Sequence, residues 1–275
     1  MSETDILVDV TGPIRTLTLN RPAKRNALTP EMLQQAKEAF DGFPGDEERV
    51  AVIRSAGPVF CAGIDLKRRL DGSERLPVDG ADGQSSQGGS DEGGEPGLSP
   101  VEQLFHAVEQ WPLPVVAIVQ GDAIAGGNEL ALHCDIVIAS TKASFGMSLA
   151  QIGLAPTWFL TKKLLEVAGP VTTREILMLG DPIPAPRLAE LGIIARAVPP
   201  HRLAPEAEAI VERLAANAPL SLRAIKGVIN REMAFRDGIA HEDVDQLVMA
   251  ARSSEDAKIG MAARLAGEPA AFTSS

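Results

Sequence analysis

Apolar and polar positions alternate on both sides of a Thr-Gly-Pro turn near the N-terminus, over residues 5–10 ("DILVDV") and 14–19 ("IRTLTL"). A period of two across a tight turn predicts a hairpin. The period lengthens to that of a helix in "LTPEMLQQAKEAF", with Thr29 as N-cap and Pro30 at the first helical position. "VAVIRS" (50–55) reads as a strand, and Ser99 with Glu102 three residues on forms a capping box that opens a helix over 100–111. "PVVAIV" (114–119) reads as a buried strand, "GGNELALHC" as a helix beginning where the glycines stop, and "DIVIA" (135–139) as a further strand. "TWFLTKKLLEVAG" and "TTREILMLG" read as two helices, the second with a Thr172–Glu175 capping box, and "IIARAV" (193–198) as a short strand. Beyond about 204 every apolar pattern is helical. Strands early and helices late predict an α/β core over 1–203 and a helical C-terminal region over 204–275. One stretch breaks the pattern: 71–99 is rich in Gly, Asp and Ser and reads as a flexible acidic surface insertion.

Composition narrows the functional classes. With 275 residues and 45% hydrophobic content the chain can bury one large core. No run approaches the ~18–20 apolar residues that cross a bilayer, and the acidic start "MSETDILVDV" lacks the pattern of a signal peptide, so a cytoplasmic enzyme is expected. The net charge of −11 argues against nucleic acid as a partner but leaves room for a small polyanion held by a few local cations. Two cysteines, Cys61 and Cys134, give neither a disulfide framework nor metal-type spacing, and read as small core residues. The chain has no Tyr and only four His, which leaves carboxylates as the main acid–base groups.

One carboxylate stands out. Glu129 follows two glycines inside an otherwise apolar run, where an acidic side chain needs a partner or a use. In the first turn of a helix it can simply favour the helix dipole. Two glycine turns, "FCAGIDL" (60–66) and "AIAGGNE" (123–129), each place free backbone N–H groups at a strand-to-helix junction. They are either ordinary turns or, if they converge, the two donors of an oxyanion hole.

Together with "LNRPAKRNALTPEM" upstream, these two turns resemble the crotonase family of enoyl-CoA hydratases and isomerases. The resemblance continues through Cys134-Asp135, "IGL" (152–154) and "GDPIPAPRLAELGII", and so covers nearly the whole chain apart from 71–99. It implies a spiral of ββα units with C-terminal helices that pack against neighbouring subunits in a trimer or hexamer. It also implies an acyl-CoA thioester substrate, with coenzyme A entering as part of it and with no separate cofactor, while charge, hydropathy and residue spacing set aside nucleic acid, membrane and metal. Carried over residue by residue, the oxyanion donors fall on Ile64 and Gly126. Lys24, Arg25, Ala62 and Lys226 become candidate coenzyme A contacts, and Glu129 matches the first of the two glutamates that handle water. The second glutamate is missing: Leu149 stands there, and with Met147, Trp158 and Phe159 it implies an apolar pocket. The dehalogenase branch needs an Asp where Thr157 stands, and the branch acting on hydroxycinnamoyl thioesters needs a Tyr. Asp65 reads as a helix cap, and Glu129 with His133 as a metal pair lacks a third ligand. The leading expectation is hydration of a 2-enoyl-CoA through an enolate. Isomerisation or decarboxylation with one carboxylate, and an acyl-CoA binder without efficient catalysis, stand beside it.

Overall fold

The computed structural model describes residues 4–66 and 98–273. The acidic insertion expected at 71–99 lies outside the described residues, save for its last two positions.

The hairpin forms as its alternation predicts. β1 (Ile6–Thr11) and β2 (Ile14–Leu19) pair antiparallel, with Gly12 at φ 55 in the turn. α1 (Pro30–Asp41) follows, and the Thr29 hydroxyl accepts from the Met32 N–H as an N-cap should. β3 (Val50–Ser55), α2 (Pro100–Gln110), β4 (Val115–Val119) and the two-residue β5 (Ala123–Ile124) lead into α3 (Gly126–Leu132). β6 (Ile136–Ser140), β7 (Ser144–Gly146), α4 (Trp158–Arg174), β8 (Ile183–Pro184), α5 (Ala185–Glu190) and β9 (Arg196–Val198) complete the strand-bearing part. Four helices close the chain: α6 (Pro200–Ala215), α7 (Pro219–Met233), α8 (Glu242–Ser253) and α9 (Glu255–Ala266).

The large sheet has the order β1-β2-β3-β4-β6-β9, parallel from β2 onward, and a small second sheet has the order β5-β7-β8. Isolated bridges Leu28–Ile64 and Cys61–Ala123 extend the small sheet's direction back through earlier turns of chain. Each ββα unit therefore gives a long strand to one layer and a short extended piece to the other, and the units stack as a spiral. One face of the large sheet buries Leu17, Ile53 and Ala117 in a core with Phe40, Leu104 and Trp111. The other face buries Val50, Val52, Val116 and Ile138 against Leu203, Ala207 and Val211 of α6. Coverage on both faces explains why the central strands read as unbroken apolar runs.

Several boundaries move. α6 runs across residues 203 and 204 and packs Leu203, Ala207 and Val211 on the sheet. α3 starts at Gly126, so the glycines are its first residues and do not precede it. The break inside α4 falls at Gly169 (φ 66, ψ 172) and Pro170, not at a Thr172 cap, because only glycine adopts that backbone freely and proline cannot donate across it. α9 folds back onto the 150–152 turn and buries Ala257 and Met261 with Ile152 and Leu154. Gly260 permits that contact, since a Cβ there would lie 2.3 Å from the Ile152 carbonyl carbon.

Candidate active site

The two glycine turns meet. The Ile124 N–H donates to the Cys61 carbonyl at 2.9 Å, and a Cβ on Gly63 (φ +86) would lie 2.9 Å from Ile124 O and 3.1 Å from Gly126 N. Gly127 is tighter still, with its missing Cβ 2.3 Å from Cys61 O. Glycine is required at both positions for the turns to touch. Ala125 between them sits at φ 49, ψ −116, a conformation costing an alanine about 1–3 kcal/mol. Its N–H donates to Gly146 O at 2.7 Å, which pins the strained residue.

That arrangement leaves two donors over. The Leu28 N–H donates to Gly63 O at 2.8 Å and the Asp65 N–H to Leu28 O at 3.1 Å, so the intervening Ile64 N–H is turned away from Leu28. Gly126 is the first residue of α3, where the helix itself offers no acceptor. Ile64 and Gly126 both line one cavity of 820 Å³.

Glu129 lines the same cavity and is fully buried. Asn128 Nδ2 donates to its Oε1 at 3.3 Å, while Oε2 has no hydrogen-bond partner among the described residues. Burial pushes the carboxyl up to about 8, a cost that the Asn128 bond and the nearby Lys163 charge only partly offset. A helix-capping charge would sit in solvent or on backbone N–H groups. This one does neither, and an open oxygen in a cavity is the geometry of a group waiting for a reactant.

His133 is not a metal partner for it. The imidazole is stacked between Phe105 and Phe159, each 5.2 Å away, and burial depresses it to about 4. Its Nδ1 lies 2.8 Å from the Glu129 carbonyl oxygen, which can only accept, so Nδ1 carries the proton and is unavailable to a cation. Among the described residues no group of three or more His, Cys, Asp or Glu could hold a metal ion. Below His133, Lys163 bridges Glu109 and Glu166, the latter at 3.1 Å, and these charges answer one another within the core.

The remaining expected residues divide. Leu149, Met147 and Ala62 line the cavity, with Lys24 and Arg25 at its exposed rim. Trp158 does not line it, because its ring is stacked on His241 at 4.6 Å. Nor does Lys226, which is buried, with Nζ 2.7 Å from Asp135 Oδ2 and 3.3 Å from Leu113 O. In this chain that lysine ties α7 to the core. Asp65 accepts from Arg21 at 3.0 Å, an ion pair on the cavity wall.

Three contributions escaped the sequence. Phe105 and Leu160 extend the apolar wall beyond Leu149. Arg252 and Arg264 reach the cavity from α8 and α9, and nothing local marks them, since only the fold-back of α9 brings them there. Glu102 had a signal that pointed elsewhere: its capping box forms as expected, and the same carboxyl also lines the cavity.

Fold and cavity together define an enzyme of the spiral ββα class, with an apolar pocket, a buried carboxyl and paired backbone donors. The family model described as enoyl-CoA hydratase/isomerase matches residues 10–274, and the chain belongs to that family. It is 32% identical over 257 residues to the enoyl-CoA hydratase EchA19 of Mycobacterium tuberculosis, covering 93% of this chain and 91% of that one. It is 33% identical to a carnitinyl-CoA dehydratase of Salmonella arizonae over 82% of this chain and 81% of that one. Among solved structures, an enoyl-CoA hydratase/isomerase from Xanthobacter autotrophicus superposes with a TM-score of 0.78 at 29% identity, covering 97% of this chain and 95% of that one. Among the described residues no helix is long and apolar enough to cross a membrane.

Proposed function

We propose that the enzyme adds water to the double bond of a 2-enoyl-CoA, using Glu129 as its proton carrier. The observation that carries this reading is the open, fully buried Oε2 of Glu129 on the same cavity as the Ile64 and Gly126 N–H groups. The thioester oxygen accepts from those two donors. Water attacks Cβ while Glu129 Oε2 takes its proton, and the double-bond electrons move to the thioester oxygen. The resulting enolate collapses by taking that proton from Glu129 at Cα, which restores the carboxylate. One carboxyl can serve both steps because its affinity for a proton lies near working pH, where accepting and releasing it are almost equally easy. Coenzyme A enters with the substrate and needs no separate cofactor. Its phosphates suit the rim cations Lys24 and Arg25, with Arg252 and Arg264 as further cationic groups on the cavity.

Leu149 on the cavity wall, in place of a second carboxyl, favours a second reading, isomerisation or decarboxylation with one proton-transfer group. Incubation with 2-enoyl and 3-enoyl thioesters of several lengths in 18-oxygen water separates the two. Label at Cβ of the product is expected from the 2-enoyl substrates. Bond migration or loss of carbon dioxide without label would displace hydration as the reaction.

Self-association follows from the C-terminal helices. Leu220, Ile225, Val228 and Ile229 of α7 are exposed, as is Leu247 of α8, which is more apolar surface than one chain leaves open without use. We propose that this face joins three copies. Sedimentation equilibrium is expected to return three times the 29.0 kDa chain mass, or six times where two trimers pair, and a monomer at micromolar concentration would refute the association.

A further inference from the structure

We infer that Glu102 of α2 is the second carboxylate of this active site, a positioning residue that acts on the reaction through Glu129. The inference rests on the reading of Glu129 as the proton carrier.

The acidic residues lining the cavity, among those described, are Asp65, Glu102 and Glu129. Asp65 is engaged by the Arg21 guanidinium at 3.0 Å. Glu102 is held differently. Its Oε2 accepts from the Ser99 N–H at 3.0 Å and from the Ser99 hydroxyl at 2.5 Å, and its Oε1 accepts from the Thr157 hydroxyl. Thr157 Oγ1 itself accepts from the Leu160 N–H, so its own proton is free for Glu102. Three donors from two residues fix a side chain that is only 2% exposed. Of these, a capping box asks the Glu102 side chain only for the Ser99 N–H bond. The Thr157 bond goes further: it draws the carboxyl between the starts of α2 and α4, onto the wall that also holds Glu129.

A fixed acceptor there affects Glu129 through charge. Like charges in one water-poor cavity resist joint ionisation, so Glu102 favours the proton on Glu129. Lys163 of α4, bridged to Glu109 of α2 and Glu166 of α4, acts in the opposite sense and more strongly, so Glu102 sets how much of that pull remains uncompensated. His133, on the same helix, is neutral. Glu102 therefore makes Glu129 a stronger base once ionised, at the expense of the fraction ionised at low pH.

The test uses Glu102→Gln, whose amide oxygen still accepts from the Ser99 N–H and so keeps the capping box. The rise of kcat with pH is expected to move to lower pH by about half a unit or more, and the alkaline plateau to fall severalfold as Glu129 becomes a weaker base. KM is expected to stay within about twofold, since the phosphate contacts are remote. Glu102→Asp, which restores the charge, is expected to bring the profile back toward the parent. A purely structural role predicts a uniform loss at every pH, and a folded Gln variant with an unmoved profile would overturn the inference. So would an Asp variant displaced as far as the Gln variant, or, where the Gln variant fails to fold, an Asp variant displaced by half a unit or more. The Glu129 carboxyl is followed in parallel by carbon-13 NMR of glutamate-labelled protein, assigned by its loss in Glu129→Gln. That titration moves with Glu102 even if no enoyl thioester turns over. A silent assay with a responsive carboxyl would therefore refute hydration alone, and a responsive assay with an unresponsive carboxyl would refute the role of Glu102 alone.

Discussion

Glu129→Gln is expected to lower hydration by about 10²–10⁴-fold and, in the same molecule, to raise thermal stability at alkaline pH. The two effects share one cause. The folded protein buries this carboxyl completely and holds it up to about 8, above its usual range near 4.5. Between those values the folded state keeps a proton that the unfolded chain releases. Stability therefore falls as pH rises through that window. The amide carries no such proton, so its advantage is absent near pH 4.5, grows with pH and levels off once the parent carboxyl has ionised above about 8. The gain is roughly 1–3 kcal/mol near pH 8, after a deduction for the amide N–H₂ that enters the cavity without a partner. In a chain of this size it corresponds to a melting temperature higher by about 2–10 °C. Calorimetry across the window, alongside the labelled-water assay, checks both halves. A variant that loses activity but gains no stability at alkaline pH would show that the carboxyl is ionised at little cost in the free enzyme, and the single-carrier mechanism would lose its poise.

The unusual setting of Glu129 was legible locally, although the residues alone fitted a helix-dipole charge and a part in the chemistry came only with the resemblance. Two glycines, an asparagine and an acid in one turn of a short helix betray an unusual environment whatever the fold around them. The same holds for the Thr29 cap, the Ser99–Glu102 box and the hairpin, each set by residues within a few positions of one another. What could not be read depends on distant chain. Lys226 looks like any helix-surface cation until α7 lays it against Asp135, 91 residues away in sequence. Trp158 borders an apolar pocket in sequence, yet its ring finds His241 from the loop before α8. Arg252 and Arg264 enter the cavity only because Gly260 lets α9 settle on Ile152. β5, β7 and β8 are two or three residues each, too short to carry a period, and exist because the spiral stacks them. Glu102 is the instructive case. A capping box accounts for every one of its local features, so its place on the cavity wall adds no mark to the sequence.

Gly126→Pro separates the paired-donor mechanism from a merely apolar pocket. Proline removes the Gly126 N–H, which at the first helical position has no intrahelical acceptor, and it also distorts the helix start, because Ala125 before it holds φ 49, ψ −116, a backbone a following proline disfavours. Loss of one oxyanion donor is worth about 10²–10³ in turnover, or ~2.7–4 kcal/mol of transition-state stabilisation. The fall belongs in kcat and not in KM, because charge reaches the thioester oxygen only as the enolate forms. Gly126→Ala is the matching control. A Cβ at that position meets Gly63 Cα at 3.5 Å and Leu28 Cδ1 at 3.6 Å, ordinary contact distances, and the N–H stays. The alanine variant is expected to keep most of its turnover. Gly63→Ala behaves otherwise, since its Cβ would sit 3.1 Å from Gly126 N, at φ +86, and push the two turns apart. Its loss is expected to approach that of the proline variant although both N–H groups remain, because the donors then no longer point at one atom. Equal turnover in the proline and alanine variants, both folded, would remove Gly126 from the mechanism and leave the close approach of the two turns without a catalytic purpose.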